Sequence, residues 1–240
     1  MKTRLDRLLV DRGLVESREK AQALIMAGKV RVNGQPAAKP GHTVAGDAAI
    51  ELEAPPPYVS RGGFKLARAI EHWGITVAGQ VCVDIGSSTG GFTDVLLQSG
   101  AARVHAVDVG VGQLDWKLRT DARVVLHEGI NARDLEPGEI GEPAALVTCD
   151  VSFISATLIV PRAAALLLAD GRMVILVKPQ FEVGKGQVGK GGIVRDPELH
   201  RAACEKVERA VRELSFETEL IPSPIAGAEG NQEFLLYAHR

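Results

Sequence analysis

Val81-Cys82-Val83-Asp84-Ile85-Gly86-Ser87-Ser88-Thr89-Gly90-Gly91-Phe92 is an apolar run that meets an acid and breaks into a glycine-rich loop. Five residues with no regular polar alternation predict a strand covered on both faces. The loop is not the dinucleotide fingerprint, because Ser88 stands where G-x-G-x-x-G has its second glycine, although Gly86 and Gly91 keep the outer spacing. It also matches the G-x-S-x-G nucleophile elbow of hydrolases, with Asp150 and His200 as nominal partners of Ser88. Against that reading, the elbow would follow the first strand of its domain, and no His-Gly-Gly oxyanion segment is present.

Working outward, Val104–Val109, Val124–Leu126, Ala145–Asp150 and Met173–Lys178 are further short apolar runs, separated by helical patterns. They predict a doubly wound α/β sheet, in which ligands bind beyond the carboxyl ends of the strands. The residues after each run are therefore the functional candidates. Asp108 ends the second run as Asp84 ends the first, a pairing that suits S-adenosylmethionine. Gly86, Ser87, Ser88, Gly90, Gly91 and Phe92 bring backbone to the methionine moiety beside Asp84, Asp108 accepts from the ribose hydroxyls, and Asn131 meets the adenine. A helix N-cap is the plain alternative for Asp108, and a turn residue for Asn131. Four more polar residues belong to the same edge. Asp150 and Lys178 end strands, Glu233 begins the apolar segment Glu233–Tyr237, and Lys65 lies on the helical stretch Arg61–Trp73. Two lysines and two carboxylates beside a methyl donor suit methylation of a ribose hydroxyl, a weak nucleophile that needs a base or an alkoxide stabiliser. Lys178 is the candidate base, and two structural ion pairs are the alternative.

The N-terminal segment has a different character. Residues 1–40 carry nine basic and four acidic side chains, a net of +5, which leaves −7 for the rest of a chain whose total is −2. Leu5, Leu8 and Leu9 recur at helical spacing, Ser17 is a candidate N-cap for a second helix, and Val30–Gln35 with Asn33-Gly34 predicts a hairpin. Ala54-Pro55-Pro56-Pro57 is a stiff break. These features divide the chain into a basic α+β module at 1–54, a linker at 55–59 and an α/β domain at 60–240.

The segments Arg4–Leu9, Ser17–Ala21 and Gly28–Gly34 resemble the αL RNA-binding motif, in which exposed cations track RNA backbone. The resemblance implies that role for Arg4, Arg7, Arg18, Lys20, Lys29 and Arg31. The order Lys65, Asp150, Lys178, Glu233 resembles the K-D-K-E tetrad of FtsJ-related ribose 2′-O-methyltransferases. With Tyr58–Lys65, Cys149–Ser155 and Val177–Lys185, the whole chain resembles the TlyA family of rRNA 2′-O-methyltransferases. That likeness implies a Rossmann-like class I methyltransferase sheet whose last strand is antiparallel, and S-adenosylmethionine as cofactor. It implies as substrate a cytidine ribose of 23S rRNA, or of 16S rRNA as well, within a subunit or ribosome. Longer, dual-site members extend further at the C-terminus, so an end at Arg240 favours the large-subunit site. Arg61, Arg133 and Lys185 are further candidate contacts to RNA phosphates.

Composition sets the outer limits. The chain has 240 residues, 45% hydrophobic and 24% charged, enough for a packed core. Cys82, Cys149 and Cys204 show no C-x-x-C spacing, so neither a disulfide framework nor a metal site is expected, and a cytoplasmic location follows. The longest apolar run, Ala163–Ala169, is far below the roughly 18 residues of a membrane span, and no signal-peptide core is present. These points argue against membrane damage, the activity implied by the haemolysin label some family members carry. No obligate protein partner is implied. A non-catalytic ribosome-assembly factor on the same fold remains the rival. Gly184–Gly191 nearly spells a phosphate loop, but Gly191 replaces its hydroxyl and Asp196-Pro197 is the better helix start.

Overall fold

The structure is a computed structural model describing residues 2–37, 39–53 and 56–240, with Lys185 and Ala228 described by their backbone alone. It divides into two compact units, residues 1–57 and 58–240. Of the expected linker at 55–59, Pro55 lies outside the described residues. Tyr58 and Val59 pack with the large unit: the Tyr58 ring meets Phe64 edge-on, and the Val59 N–H donates to Asp94.

In the small unit, β1 (Lys2–Arg4) leads into α1 (Leu5–Asp11) and α2 (Arg18–Met26), followed by β2 (Val30–Val32), β3 (Gln35–Pro36), β4 (Thr43–Ala45) and β5 (Ile50–Leu52). The Ser17 side chain accepts from the Lys20 N–H and so caps α2. Asn33 and Gly34 both have positive φ, 50° and 76°, the geometry that closes a two-residue hairpin. Leu5, Leu9, Ala21, Ile25 and Val30 are fully buried and form a core of their own. The short strands β1, β4 and β5 add to the expected helix–helix–hairpin.

The large unit runs α3 (Gly62–Trp73), β6 (Val81–Ile85), α4 (Gly91–Gln98), β7 (Arg103–Asp108), α5 (Trp116–Arg119), β8 (Val124–Glu128), α6 (Pro137–Ile140), β9 (Ala144–Cys149), α7 (Val160–Ala165), β10 (Leu167–Val177), α8 (Pro179–Glu182), α9 (Pro197–Arg212), β11 (Glu217–Pro222) and β12 (Phe234–His239). The seven strands are ordered β11-β12-β10-β9-β6-β7-β8, and β12 alone runs against the others. One hydrophobic layer lies on each face of the sheet. Val83, Val147 and Ile175 belong to one; Cys82, Leu146 and Val174 belong to the other. Two covered faces explain strands without alternation. The run Ala163–Ala169 splits at Leu166, helix before and strand after.

This strand order fixes where a ligand can sit. The chain builds outward from β6 through β7 to β8, then returns to β9 on the other side of β6. The topological switch therefore lies between β6 and β9, at their carboxyl ends. Ile85 pairs with Cys149, so Gly86 and Asp150 emerge side by side. Val177 pairs with Phe234 across the reversed strand, so Lys178 and Glu233 emerge together as well.

Candidate active site

Three adjoining cavities open at this edge. The largest, about 460 Å³, is lined by Gly86, Ser88, Asp108, Asn131, Arg133 and Asp150, among others. The second, about 410 Å³, is lined by Lys65, Ser152, Phe153, Lys178, Gln180 and Glu233, among others. A small one, about 170 Å³, reaches Lys65 and Asp150 together with Gly86, Ser87, Ser88, Gly91 and Phe92. Asp150 thus borders the first and third cavities, and Lys65 the second and third.

The glycine loop is shaped by its neighbours. Gly86 has φ +82°, and a Cβ there would meet the Asp150 carbonyl oxygen at 2.4 Å, so only glycine lets the loop lie against the next strand end. Ser88 also has positive φ, and its N–H donates to Asp108 Oδ2 at 2.8 Å; Asp108 Oδ1 accepts from the Gly110 N–H at 2.7 Å. Asp108 therefore ties the loop to the β7 end and retains acceptor capacity towards the large cavity. Asn131 accepts from the Arg133 N–H, an Asx turn on the wall of the same cavity.

Two of the cofactor candidates stand back from all three cavities. Asp84 is fully buried, and its two oxygens accept from Thr93 at 2.7 Å and Thr148 at 2.9 Å. Burial raises its carboxyl to about 6, with the Thr93 and Thr148 hydrogen bonds opposing. These two bonds tie the end of β6 to α4 and to β9. Gly90, at φ +98°, turns the chain into α4 where a side chain would strike Leu118.

The four charged candidates form two ion pairs at one edge. Lys65 lies on the inward stripe of α3 with Leu66 and Ala69, and such a lysine requires a partner. Its Nζ donates to Glu233 Oε2 at 2.5 Å, and Glu233 is 2% exposed. Lys178 Nζ lies 2.6 Å from Asp150 Oδ1, at an angle that makes an ion pair rather than an aligned hydrogen bond, and donates to Ser152 Oγ at 2.8 Å. Phe153 follows with φ +65° and is 92% exposed, its ring 5.3 Å from that of Phe181. Sequence reading missed Ser152 and Phe153 as site residues. They sit inside the segment that carries Asp150, which was the available signal.

The cationic candidates elsewhere differ in freedom. Asp6 is shut off from solvent and accepts two hydrogen bonds from Arg4 and one each from Arg18 and Gln22. Both arginines remain half exposed. Lys20 pairs with Glu16 and Lys29 with Glu53, while Arg31 donates to the Gly34 carbonyl. Arg7 is exposed and makes no ion pair among the described residues. Arg61 reaches the Ala226 carbonyl at 3.4 Å, and Arg133 borders the largest cavity. The side chain of Lys185 lies outside the described residues.

Cys82, Cys149 and Cys204 are buried, and burial pushes each thiol up to about 12. Among the described residues no group of three or more His, Cys, Asp or Glu is arranged to hold a metal, and no helix is long and apolar enough to cross a membrane.

Comparison with known proteins adds to this geometry. Residues 58–240 match the FtsJ-like methyltransferase family and residues 3–50 match the S4 domain. The chain is 48% identical over 239 residues to the 16S/23S rRNA (cytidine-2′-O)-methyltransferase TlyA of Mycobacterium tuberculosis, covering 98% of this chain and 89% of that protein. It is 40% identical over 182 residues to the 23S rRNA (cytidine-2′-O)-methyltransferase TlyA of Campylobacter jejuni, covering 75% of this chain and 70% of that one. A solved structure of a Streptococcus thermophilus protein named a hemolysin superimposes with a TM-score of 0.76 at 43% identity, over 100% of this chain and 88% of that one.

Proposed function

The chain belongs to the FtsJ-like methyltransferase family, with an S4 domain ahead of the catalytic fold, and from that premise we propose that it methylates a cytidine ribose 2′-hydroxyl in rRNA. The observation that carries the reading is the meeting of Lys65, Asp150, Lys178 and Glu233 at the sheet edge beside the glycine loop. Both TlyA relatives act by name on 23S rRNA, which favours the large-subunit RNA as target. An rRNA substrate, free or within a subunit, implies work in the cytoplasm.

The largest of the three cavities at the sheet edge fits S-adenosylmethionine by the chemistry of its walls. Asp108 has acceptor capacity for ribose hydroxyls, Asn131 adds a polar side chain to the same cavity, and Gly86 brings loop backbone to its wall. The buried Ser87 hydroxyl, which has no partner among the described residues, borders the adjoining small cavity. Bound there, the sulfonium supplies an electrophilic methyl group. The residues do the rest. Lys178, held by Asp150, borders the second cavity and either takes the proton of the attacking hydroxyl on its amine nitrogen or donates a hydrogen bond to the alkoxide that develops. Lys65, held by Glu233, borders the second and third cavities and offers its remaining N–H groups as donors where alkoxide charge grows. Phe153, exposed at the rim of both large cavities, offers a flat apolar surface to an unstacked base. Arg4, Arg7, Arg18, Lys20, Lys29 and Arg31 serve the RNA backbone, as do Arg61, Arg133 and Lys185.

The test is transfer of labelled methyl from S-adenosylmethionine to purified ribosomal subunits, followed by mapping of the modified nucleotide. We expect a 2′-O-methylcytidine in 23S rRNA and a loss of at least about a hundredfold in turnover for Lys178→Ala. No transfer by the wild type, or full transfer by Lys178→Ala, would overturn the reading.

A further inference from the structure

Lys178 has two neighbours at its Nζ, and they are not equivalent. Asp150 Oδ1 is nearer, at 2.6 Å, yet it is not aligned as a hydrogen-bond acceptor. The directional bond of this amine is the one to Ser152 Oγ at 2.8 Å. An ammonium group has three N–H directions and rotates freely about its last carbon bond. A charge contact alone leaves that rotation open. A second, directional contact closes it.

We propose that Ser152 is a positioning residue for the reaction: its hydroxyl fixes the rotation of the Lys178 amine so that a remaining valence of nitrogen faces the substrate cavity. This inference rests on the methyltransferase reading above. The location of Ser152 supports it, since the residue lines both the largest cavity and the one bordered by Lys178. Its backbone is held from two sides. Before it, the Asp150 carbonyl oxygen lies 2.4 Å from where a Cβ on Gly86 would be, and the Asp150 N–H donates to the Ile85 carbonyl at 2.9 Å. After it, Phe153 turns the chain at φ +65°, a conformation that an aromatic residue adopts only under constraint. The turn therefore offers its hydroxyl from a fixed point. The hydroxyl oxygen accepts from Lys178, and the hydroxyl hydrogen has no acceptor among the described residues.

Three variants decide the matter in the subunit methylation assay. Ser152→Ala is expected to lower kcat about tenfold, the weight of one directional hydrogen bond made in the reacting state. KM for the subunit and the affinity for S-adenosylmethionine should stay within about twofold, because the side chain is not asked to hold either ligand. Ser152→Thr keeps the hydroxyl and should regain most of the lost kcat. Combining Ser152→Ala with Lys178→Ala should cost no more than Lys178→Ala alone, since Ser152 acts through that amine. An unimpaired kcat for Ser152→Ala, a loss confined to KM, or a loss that adds to that of Lys178→Ala overturns the inference while leaving the enzyme reading intact. A wild type that transfers no methyl overturns both.

Discussion

At the scale of single residues, Asp84 is the most informative. It was expected beside the cofactor, and it stands instead behind the loop, fully buried between Thr93 and Thr148. Its carboxyl is raised to about 6 by burial, above an ordinary value of 3.8. The folded state therefore holds a proton that the unfolded state releases. The resulting stability is fully present below the ordinary value and is lost as pH rises through about 6. Asp84→Asn keeps the shape and cannot ionise. Urea titrations of the two proteins from pH 4 to 7 should show the wild type losing on the order of 3 kcal/mol relative to the variant. Parallel curves would show that Asp84 does not titrate in this window. The charged tetrad was legible because each member stands at a strand end or on an apolar helix stripe. The division into Lys65 with Glu233 and Lys178 with Asp150 was not, because strand spacing brings residues to an edge without saying how side chains pair across it. Ser152 and Phe153 were hidden for a related reason. A left-handed aromatic in a loop has no periodicity to betray it.

At the scale of elements, β6 to β10 were readable because both faces of the sheet are covered and the strands carry continuous apolar runs. The strand β11 escaped: Glu217–Pro222 is an edge segment with polar, partly exposed positions and a closing proline. In the small unit, β1, β4 and β5 have three residues each, too few for a pattern. The helices there were legible, but not what binds them together. Asp6, in the first turn of α1, gathers Arg4 from β1 and Arg18 and Gln22 from α2. Its arginines hold the carboxyl well below the usual carboxylate range, the Arg4 hydrogen bonds contributing most. That stabilisation is present above pH 4 and fades as pH falls below it. Asp6→Asn leaves two close guanidinium groups without their counter-charge. Thermal melts at pH 7 should show the small unit weakened by about 1–3 kcal/mol, and binding of an rRNA fragment should weaken as the two arginines lose their fixed placement. Unchanged melting and binding would show that the cluster organises nothing.

At the scale of the whole molecule, near-neutral net charge conceals a division of labour. The total of −2 combines +5 in residues 1–40 with −7 in the remainder. Each unit has its own hydrophobic core, so the large one should stand without the small one. A chain beginning at Tyr58 is expected to bind S-adenosylmethionine within about threefold of the full protein by calorimetry, and to lose most rRNA affinity and its steep salt dependence. Retention of the full salt slope would move the RNA grip to the catalytic unit. The three cysteines lead to a practical consequence of another kind. All are buried, with thiols raised to about 12, so almost none is thiolate at neutral pH. The native chain is thus expected to resist maleimides, and one cysteine added on its surface should become a unique attachment point for a fluorophore or spin label. The wild-type background can then serve a test of the proposed rRNA binding in real time without first being stripped of its own sulfur.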